Sequence, residues 1–132
     1  MIKIFLDDIR NPKDCLSYMH VRIGSLNPIY NEEWLIARNF NEFTALCNDN
    51  MENISHISFD HDLANEHYDP SMLEEDAVRY EKLYSNFNEK TGYDCALWLK
   101  QWCEENNFKL PKILIHTMNP VGLKNIRELF KQ

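Results

Sequence analysis

The stretch Ile2-Lys3-Ile4-Phe5-Leu6-Asp7-Asp8 decides the fold of this chain. Its first five residues are almost continuously apolar, which is typical of a strand covered on both faces of a parallel sheet. Three further apolar runs predict strands of the same sheet: Trp34-Leu35-Ile36-Ala37, Ile57-Ser58-Phe59 and Ile113-Leu114-Ile115. The first strand therefore ends at an acidic pair.

Helical patterns lie between and after these strands. Asn41 can cap a helix whose apolar residues recur at helical spacing. Thr91-Gly92-Tyr93-Asp94 fits a capping box, and Asn119-Pro120 offers an N-cap followed by proline at the first helical position. The alternation of strand and helix predicts an α/β fold with a parallel sheet and right-handed crossovers.

Two segments exceed this minimal pattern. Residues 15–31 form a long connection after the first strand, and residues 64–90 are acidic with a helical signature of their own. Within the second segment, Ser71-Met72-Leu73-Glu74 fits a capping box. We interpret residues 64–90 as a helical insertion, which is either a solvated surface helix or a lid over the site.

Length and composition limit the class of protein. The 132 residues predict one domain over residues 1–132, and 44% hydrophobic with 27% charged residues excludes a disordered or fibrous chain. The sequence has no apolar run near the roughly 18 residues of a bilayer span. Acids follow the first apolar run where a signal peptide would continue, so we expect a soluble, cytoplasmic protein without membrane contact.

Net charge limits the ligands that we expect, and the cysteines indicate the redox compartment. A net charge of −7 makes extended nucleic-acid binding unfavourable, although a cation would allow a small phosphate ligand or a single nucleic-acid end to bind. The four cysteines have no C-x-x-C spacing, which favours buried free thiols in a reducing compartment. Protein partners are not predicted.

Polar clusters follow three of the four predicted strands. They are Asp7-Asp8-Ile9-Arg10-Asn11-Pro12, Asp60-His61-Asp62-Leu63 and His116-Thr117-Met118-Asn119-Pro120. Ligands of open parallel sheets bind outside the carboxyl ends of the strands, at the point where the strand order reverses. We therefore expect the three clusters to meet at one edge of the sheet.

The acids of these clusters predict a metal site. Asp7 and Asp8 are adjacent, and Asp60 would come from a neighbouring strand. Three crowded carboxylates raise one another's pKa unless a cation neutralises them. Oxygen-rich sites of this kind suit Mg²⁺ or Mn²⁺. The alternative is that one acid caps a helix while another pairs with Arg10.

Two histidines at strand ends predict proton chemistry. His61 and His116 each follow a strand among acids or amides, and imidazoles can act as general base and general acid near neutral pH. They could also join the metal as neutral ligands. Asp62 is predicted to orient an imidazole or support the metal. We group Asp60, His61, Asp62 and His116 as candidate catalytic residues, with Asp60 either a metal ligand or a nucleophile.

Phosphate contacts are predicted near the same edge. The helix that Asn119 opens can present backbone N–H groups to an anion, and a hydroxyl or a basic side chain can add to them. The predicted substrate-binding residues are Arg10, Asn11, Thr117 and Asn119, with Lys124 and Arg127 as weaker candidates. The sequence has no P-loop, dinucleotide-binding, serine-hydrolase or H-E-x-x-H motif.

The acidic pair and Asp60 resemble the receiver domains of response regulators, in which such a pair binds Mg²⁺ and the lone aspartate accepts phosphate. A receiver's fifth strand and the lysine that precedes it have no counterpart in this chain. A closer resemblance is to the cyclic-phosphate processing receiver domain. The motifs that carry it are Phe5 to Pro12, the strand at Trp34, Phe59 to Leu63, Thr91 to Asp94, and Ile115 to Pro120.

This resemblance implies a three-layer, receiver-like (flavodoxin-like) sheet of about four strands. It also implies a metal-dependent phosphoesterase acting on cyclic phosphates, either 2′,3′-cyclic RNA ends or cyclic nucleotides. Direct attack by water is favoured, because two histidines are present and the receiver lysine is missing. Two alternatives stay open: an inactive receiver-like binding module, and a signalling domain phosphorylated on Asp60.

Overall fold

A computed structural model describes residues 1–17, 27–63 and 90–131. The strands are β1 (Ile2–Leu6), β2 (Leu35–Ala37), β3 (Ile54–Phe59) and β4 (Lys112–Ile115), and the long helices are α1 (Phe40–Asn50), α2 (Gly92–Glu105) and α3 (Pro120–Leu129). Short 3-10 helices span Pro12–Asp14, Pro28–Asn31 and Met51–Asn53. Except for its last residue, the predicted insertion at 64–90 lies outside the described residues, as does the middle of the 15–31 connection.

The four strands form one parallel sheet in the order β2-β1-β3-β4. The predicted fold class, a receiver-like α/β sheet, is confirmed. From β1 the chain moves outward to β2 and then returns to the other side of β1 for β3, so the strand order reverses between β1 and β3. Leu6 pairs with both Ala37 and Phe59, and Phe59 pairs with Ile115. All four strands therefore end in one row.

Successive side chains of β1 point to opposite faces of the sheet. Ile4 and Leu6 belong to the large core cluster, which also holds buried residues of α1, α2 and α3. Phe5 faces the other way and packs with Cys15 and Tyr30 in a smaller cluster. Tyr30 reaches this second face of the sheet from the 3-10 helix Pro28–Asn31.

The helix starts follow local capping chemistry. Thr91 and Asp94 form the predicted capping box of α2, and Asn119 caps α3 in front of Pro120. The start predicted for α1 was wrong. The cap is Asn39, whose side chain accepts a hydrogen bond from the Glu42 amide at 2.9 Å, and Asn41 lies in the first turn. Both asparagines satisfy the cap pattern, and the one that caps the helix is the earlier, which lies shortly after the end of β2.

Two strand boundaries also differ from the sequence prediction. Strand β2 begins at Leu35, where it pairs with Ile4 of β1, and the Trp34 indole before it donates a hydrogen bond to the Ile29 carbonyl at 3.1 Å. Strand β3 begins at Ile54, where it pairs with Ile2 of β1, so its polar first half is ordered by the neighbouring strand.

Two other sequence predictions concern burial. All four cysteines are buried free thiols, as predicted, and burial raises the pKa of Cys47 to about 12. Among the described residues, no helix is both long and apolar enough to cross a bilayer.

Candidate functional site

One row of residues follows the strand ends across the sheet. The row contains Arg38, Asp7, Asp60 and His116, each directly after its strand. Backbone hydrogen bonds continue the sheet through it, from Asp7 to Ala37 (3.1 Å), Asp60 to Leu6 (3.0 Å) and His116 to Phe59 (2.9 Å). The sheet thus brings three of the predicted site residues together at the point where the strand order reverses.

The acids of this edge form a compact cluster. Asp7, Asp8 and Asp60 each offer a carboxylate oxygen, and these oxygens all lie within 4.8 Å of one another. Asp7 and Asp60 are buried, whereas Asp8 is half-buried. This is the set that the sequence predicts as metal ligands, and its spacing suits a single divalent cation.

Asp60 lies in an environment that disfavours its negative charge. Its Oδ1 accepts a hydrogen bond from the His61 amide at 2.9 Å, whereas its buried Oδ2 has no partner of normal hydrogen-bond geometry among the described residues. Burial first, and then the negative charge of Asp7, raise the pKa of Asp60 to about 7. Arg10 and the Thr117 hydroxyl act in the opposite direction.

Asp7 is held in its ionised form. Burial alone would raise its pKa, but hydrogen bonds from His116 and from the Arg10 and Ile9 amides outweigh burial and lower the pKa. The Oδ1 atom accepts from the amides of Ile9 at 3.0 Å and Arg10 at 2.8 Å, while Oδ2 lies 3.1 Å from His116 Nε2. Asp7 therefore presents a fixed anion to the cluster.

His116 lies beneath the acids rather than at the surface. Its ring is fully buried and stacks on Phe5 with centroids 4.1 Å apart. Both ring nitrogens have partners, because Nδ1 lies 2.7 Å from Ser58 Oγ and Nε2 faces Asp7. Burial also lowers the pKa of His116, against the opposing effect of Asp7. The described contact of Nε2 is with Asp7, and the predicted proton exchange with substrate stays a prediction.

His61 and Asp62 form a second buried pair. His61 Nδ1 lies 3.1 Å from Asp62 Oδ1, and Asn119 Nδ2 donates to Asp62 Oδ2 at 3.2 Å. The Asn119 side-chain oxygen accepts from the amides of Val121 and Gly122 at the start of α3. The predicted roles of this trio in catalysis and substrate binding stay predictions, and their described contacts join the β3 loop to α3.

Two glycines allow the helices to approach this loop. A Cβ on Gly92 would lie 1.6 Å from the Asp60 carbonyl oxygen, and one on Gly122 would lie 2.6 Å from the His61 ring. The Gly92 amide donates to the His61 carbonyl at 2.7 Å. The N-termini of α2 and α3 therefore pack directly against the residues that follow β3.

The predicted phosphate-binding residues do not share one environment. Arg10 is half-buried with Nε 3.8 Å from Asp7 Oδ2, and Asn11 is exposed. Thr117 is buried, and its hydroxyl accepts a hydrogen bond from the Asn119 amide at 3.2 Å. The weaker candidates Lys124 and Arg127 are exposed on α3.

Sequence reasoning missed Arg38. Its guanidinium donates to the carbonyls of Asp7 at 3.2 Å and Arg10 at 2.7 Å, and to Asn11 Oδ1 at 2.7 Å. It thereby fastens the acidic loop to the end of β2. The available signal was its position directly after a predicted strand, the same signal that singled out Asp7, Asp60 and His116.

The parallel sheet, the reversal of strand order and the acids at that point define a receiver-like α/β domain. A profile of the cyclic-phosphate processing receiver domain matches residues 2–132. The chain belongs to this family. Searches of curated proteins and of solved structures each found no significant match.

Proposed function

We propose that this chain is a metal-dependent phosphoesterase that hydrolyses cyclic phosphates. The observation that carries the proposal is the meeting of three carboxylate oxygens within 4.8 Å, at the carboxyl edge of a family fold associated with cyclic-phosphate processing. Asp7, Asp8 and Asp60 would hold Mg²⁺ or Mn²⁺. The substrate is a cyclic nucleotide or a 2′,3′-cyclic RNA end, since the charge of −7 disfavours a longer nucleic acid.

The donor set fits such a cation. All three ligands are carboxylates, which Mg²⁺ and Mn²⁺ prefer. No described residue meets the buried Asp60 Oδ2 atom with normal hydrogen-bond geometry, so a cation would give this oxygen a positively charged partner. When bound, the cation supplies Lewis-acid polarisation of phosphoryl oxygens and lowers the pKa of a coordinated water.

The residues of the chain supply the orientation. His116 and two backbone amides fix Asp7, while Arg38 fixes the loop that carries Asp8 and Arg10. Arg10 is half-buried, so it is suited to contact a substrate phosphate, whereas the half-buried Asp8 would face that phosphate only through the cation. The Arg10 guanidinium would then offset phosphate charge beside the carboxylates.

The test is hydrolysis of 2′,3′-cyclic nucleotides with Mg²⁺ or Mn²⁺, followed by chromatography of the monoester products. We expect turnover by the wild type and by Asp49→Asn, an exposed substitution on α1. Asp60→Asn should lose roughly 100-fold or more, because one carboxylate ligand becomes a neutral amide. Equal turnover by Asp60→Asn and Asp49→Asn would refute this use of the cluster.

A second candidate is a module that binds metal and cyclic phosphate without turnover. The burial of His61 and His116 favours it, since both rings are 0% exposed and so are withdrawn from a leaving oxygen. Metal binding by the wild type without hydrolysis of any nucleotide in a broad cyclic-phosphate panel would establish this alternative over the enzyme.

A further inference from the structure

A chain of four buried side chains runs from the second face of the sheet to the acidic cluster. The Tyr30 hydroxyl lies 2.7 Å from Ser58 Oγ, Ser58 Oγ lies 2.7 Å from His116 Nδ1, and His116 Nε2 lies 3.1 Å from Asp7 Oδ2. Each of the four side chains is at most 2% exposed. We call Tyr30, Ser58 and His116 the relay.

The proton positions along the relay follow from its geometry. Burial raises the pKa of Tyr30, so the phenol keeps its proton, and its described acceptor is Ser58 Oγ. A buried hydroxyl that donates to no acceptor loses the hydrogen bond that water would supply, so Tyr30 donates to Ser58. Ser58 must then turn its own proton toward His116 Nδ1.

The consequence reaches Asp7. Because Nδ1 accepts a hydrogen bond from Ser58, the imidazole proton resides on Nε2, which faces the Asp7 carboxylate. A carboxylate can only accept, so this tautomer is the one that completes the contact. Were the proton on Nδ1, two lone pairs would face each other at 3.1 Å.

We propose that Tyr30 and Ser58 are positioning residues for Asp7, and that they act by holding His116 in the Nε2–H tautomer. The inference rests on the proposed function, since Asp7 is one of the three metal ligands there. Partners that orient a metal ligand in this way typically change metal affinity by roughly 10- to 100-fold when they are removed.

The packing around the relay supports a dedicated arrangement. Phe5 stacks on His116, and Tyr30 stacks on Trp34 with centroids 5.6 Å apart. Aromatic packing therefore holds the rings of His116 and Tyr30 in place independently of their hydrogen bonds. Tyr30→Phe therefore keeps the aromatic packing and removes only the hydroxyl. Ser58→Ala removes the direct partner of Nδ1.

The first measurement is ¹⁵N NMR of the His116 ring in metal-free protein at neutral pH. We expect a protonated Nε2 and an unprotonated Nδ1 in the wild type, and a population with protonated Nδ1 in Tyr30→Phe and Ser58→Ala. Ser55→Ala removes a hydroxyl from the same strand outside the relay and should leave the tautomer unchanged. A protonated Nδ1 in the wild type would overturn the inference.

The second measurement is Mn²⁺ affinity by calorimetry, with thermal unfolding to confirm that each variant is folded. Ser58→Ala should bind Mn²⁺ roughly 10- to 100-fold more weakly and Tyr30→Phe less severely, while Ser55→Ala binds as the wild type. If the wild type binds and Ser58→Ala binds equally well, only the relay is refuted. If the wild type itself does not bind Mn²⁺, the proposed metal site fails and the positioning role fails with it.

Discussion

The Nε2 atom of His116 lies 3.1 Å from Oδ2 of Asp7, across 109 positions of sequence. The contact joins the end of β4 to the end of β1 and passes over the end of β3, where Asp60 lies. The orientation of Asp7 therefore depends on the register of three strands.

Asp60→Asn should stabilise the metal-free protein above neutral pH. The folded-state pKa of about 7 exceeds the ordinary value of 3.8, so the contribution of Asp60 to stability is greatest below about pH 3.8, falls as the pH rises to about 7 and levels off above it. The amide cannot ionise and avoids this loss. We expect a gain of about 1 to 3 kcal/mol at about pH 8 and less at about pH 6, measured by urea unfolding in chelator.

The control for this prediction is Asp49→Asn, which removes an exposed carboxylate and should follow the wild-type pH dependence. A wild-type stability that rises between about pH 6 and about pH 8, with no such rise in Asp60→Asn, would show the opposite sign of the Asp60 shift.

Binding of Mn²⁺ should release a proton at low pH. Below about pH 7 the metal-free Asp60 is mostly protonated, whereas a cation binds its carboxylate form. Apparent affinity should therefore weaken by up to about tenfold per pH unit below 7 and level off above it. Calorimetry in buffers of different ionisation enthalpy counts the protons, and an affinity that does not change with pH would contradict the prediction.

Gly92→Ala should damage the site through the backbone. An added Cβ would lie 1.6 Å from the Asp60 carbonyl oxygen, so the start of α2 must move away from the β3 loop. We expect a loss of about 3 kcal/mol or more, although alanine ordinarily favours a helix by about 1 kcal/mol over glycine. Chemical unfolding measures the loss, and a stability equal to or above wild type would show that the two backbones are not in contact.

Arg38→Lys should loosen the acidic loop. A lysine retains the charge but lacks the planar fork that reaches the carbonyls of Asp7 and Arg10 together with Asn11. We expect about 1 to 3 kcal/mol less stability and a several-fold weaker Mn²⁺ affinity. Arg127→Lys, on the exposed side of α3, serves as the matched control. Identical Mn²⁺ affinities in the two variants would show that Arg38 does not contribute to metal binding.

Much of the fold could be predicted because its signals are local. Four short apolar runs, the capping box at Thr91 and the Asn119-Pro120 start depend on neighbouring residues, and each corresponds to an element of the structure. The errors were at boundaries, where tertiary contacts decide. Pairing with β1 extends β3 back to Ile54, and the residue that caps α1 is Asn39 rather than Asn41.

The residues of the candidate site could likewise be predicted from the sequence in part, whereas the contacts between them could not. The sequence by itself determined that carboxylates follow β1 and β3 and that a histidine follows β4, because strand ends are marked by the change from apolar to polar residues. Only the tertiary structure decided that His116 lies beneath Asp7, that Ser58 and Tyr30 stand behind it, and that Arg38 fastens the loop. Those contacts depend on strand order and register, which bring distant residues within hydrogen-bond distance and leave no periodic mark along the chain.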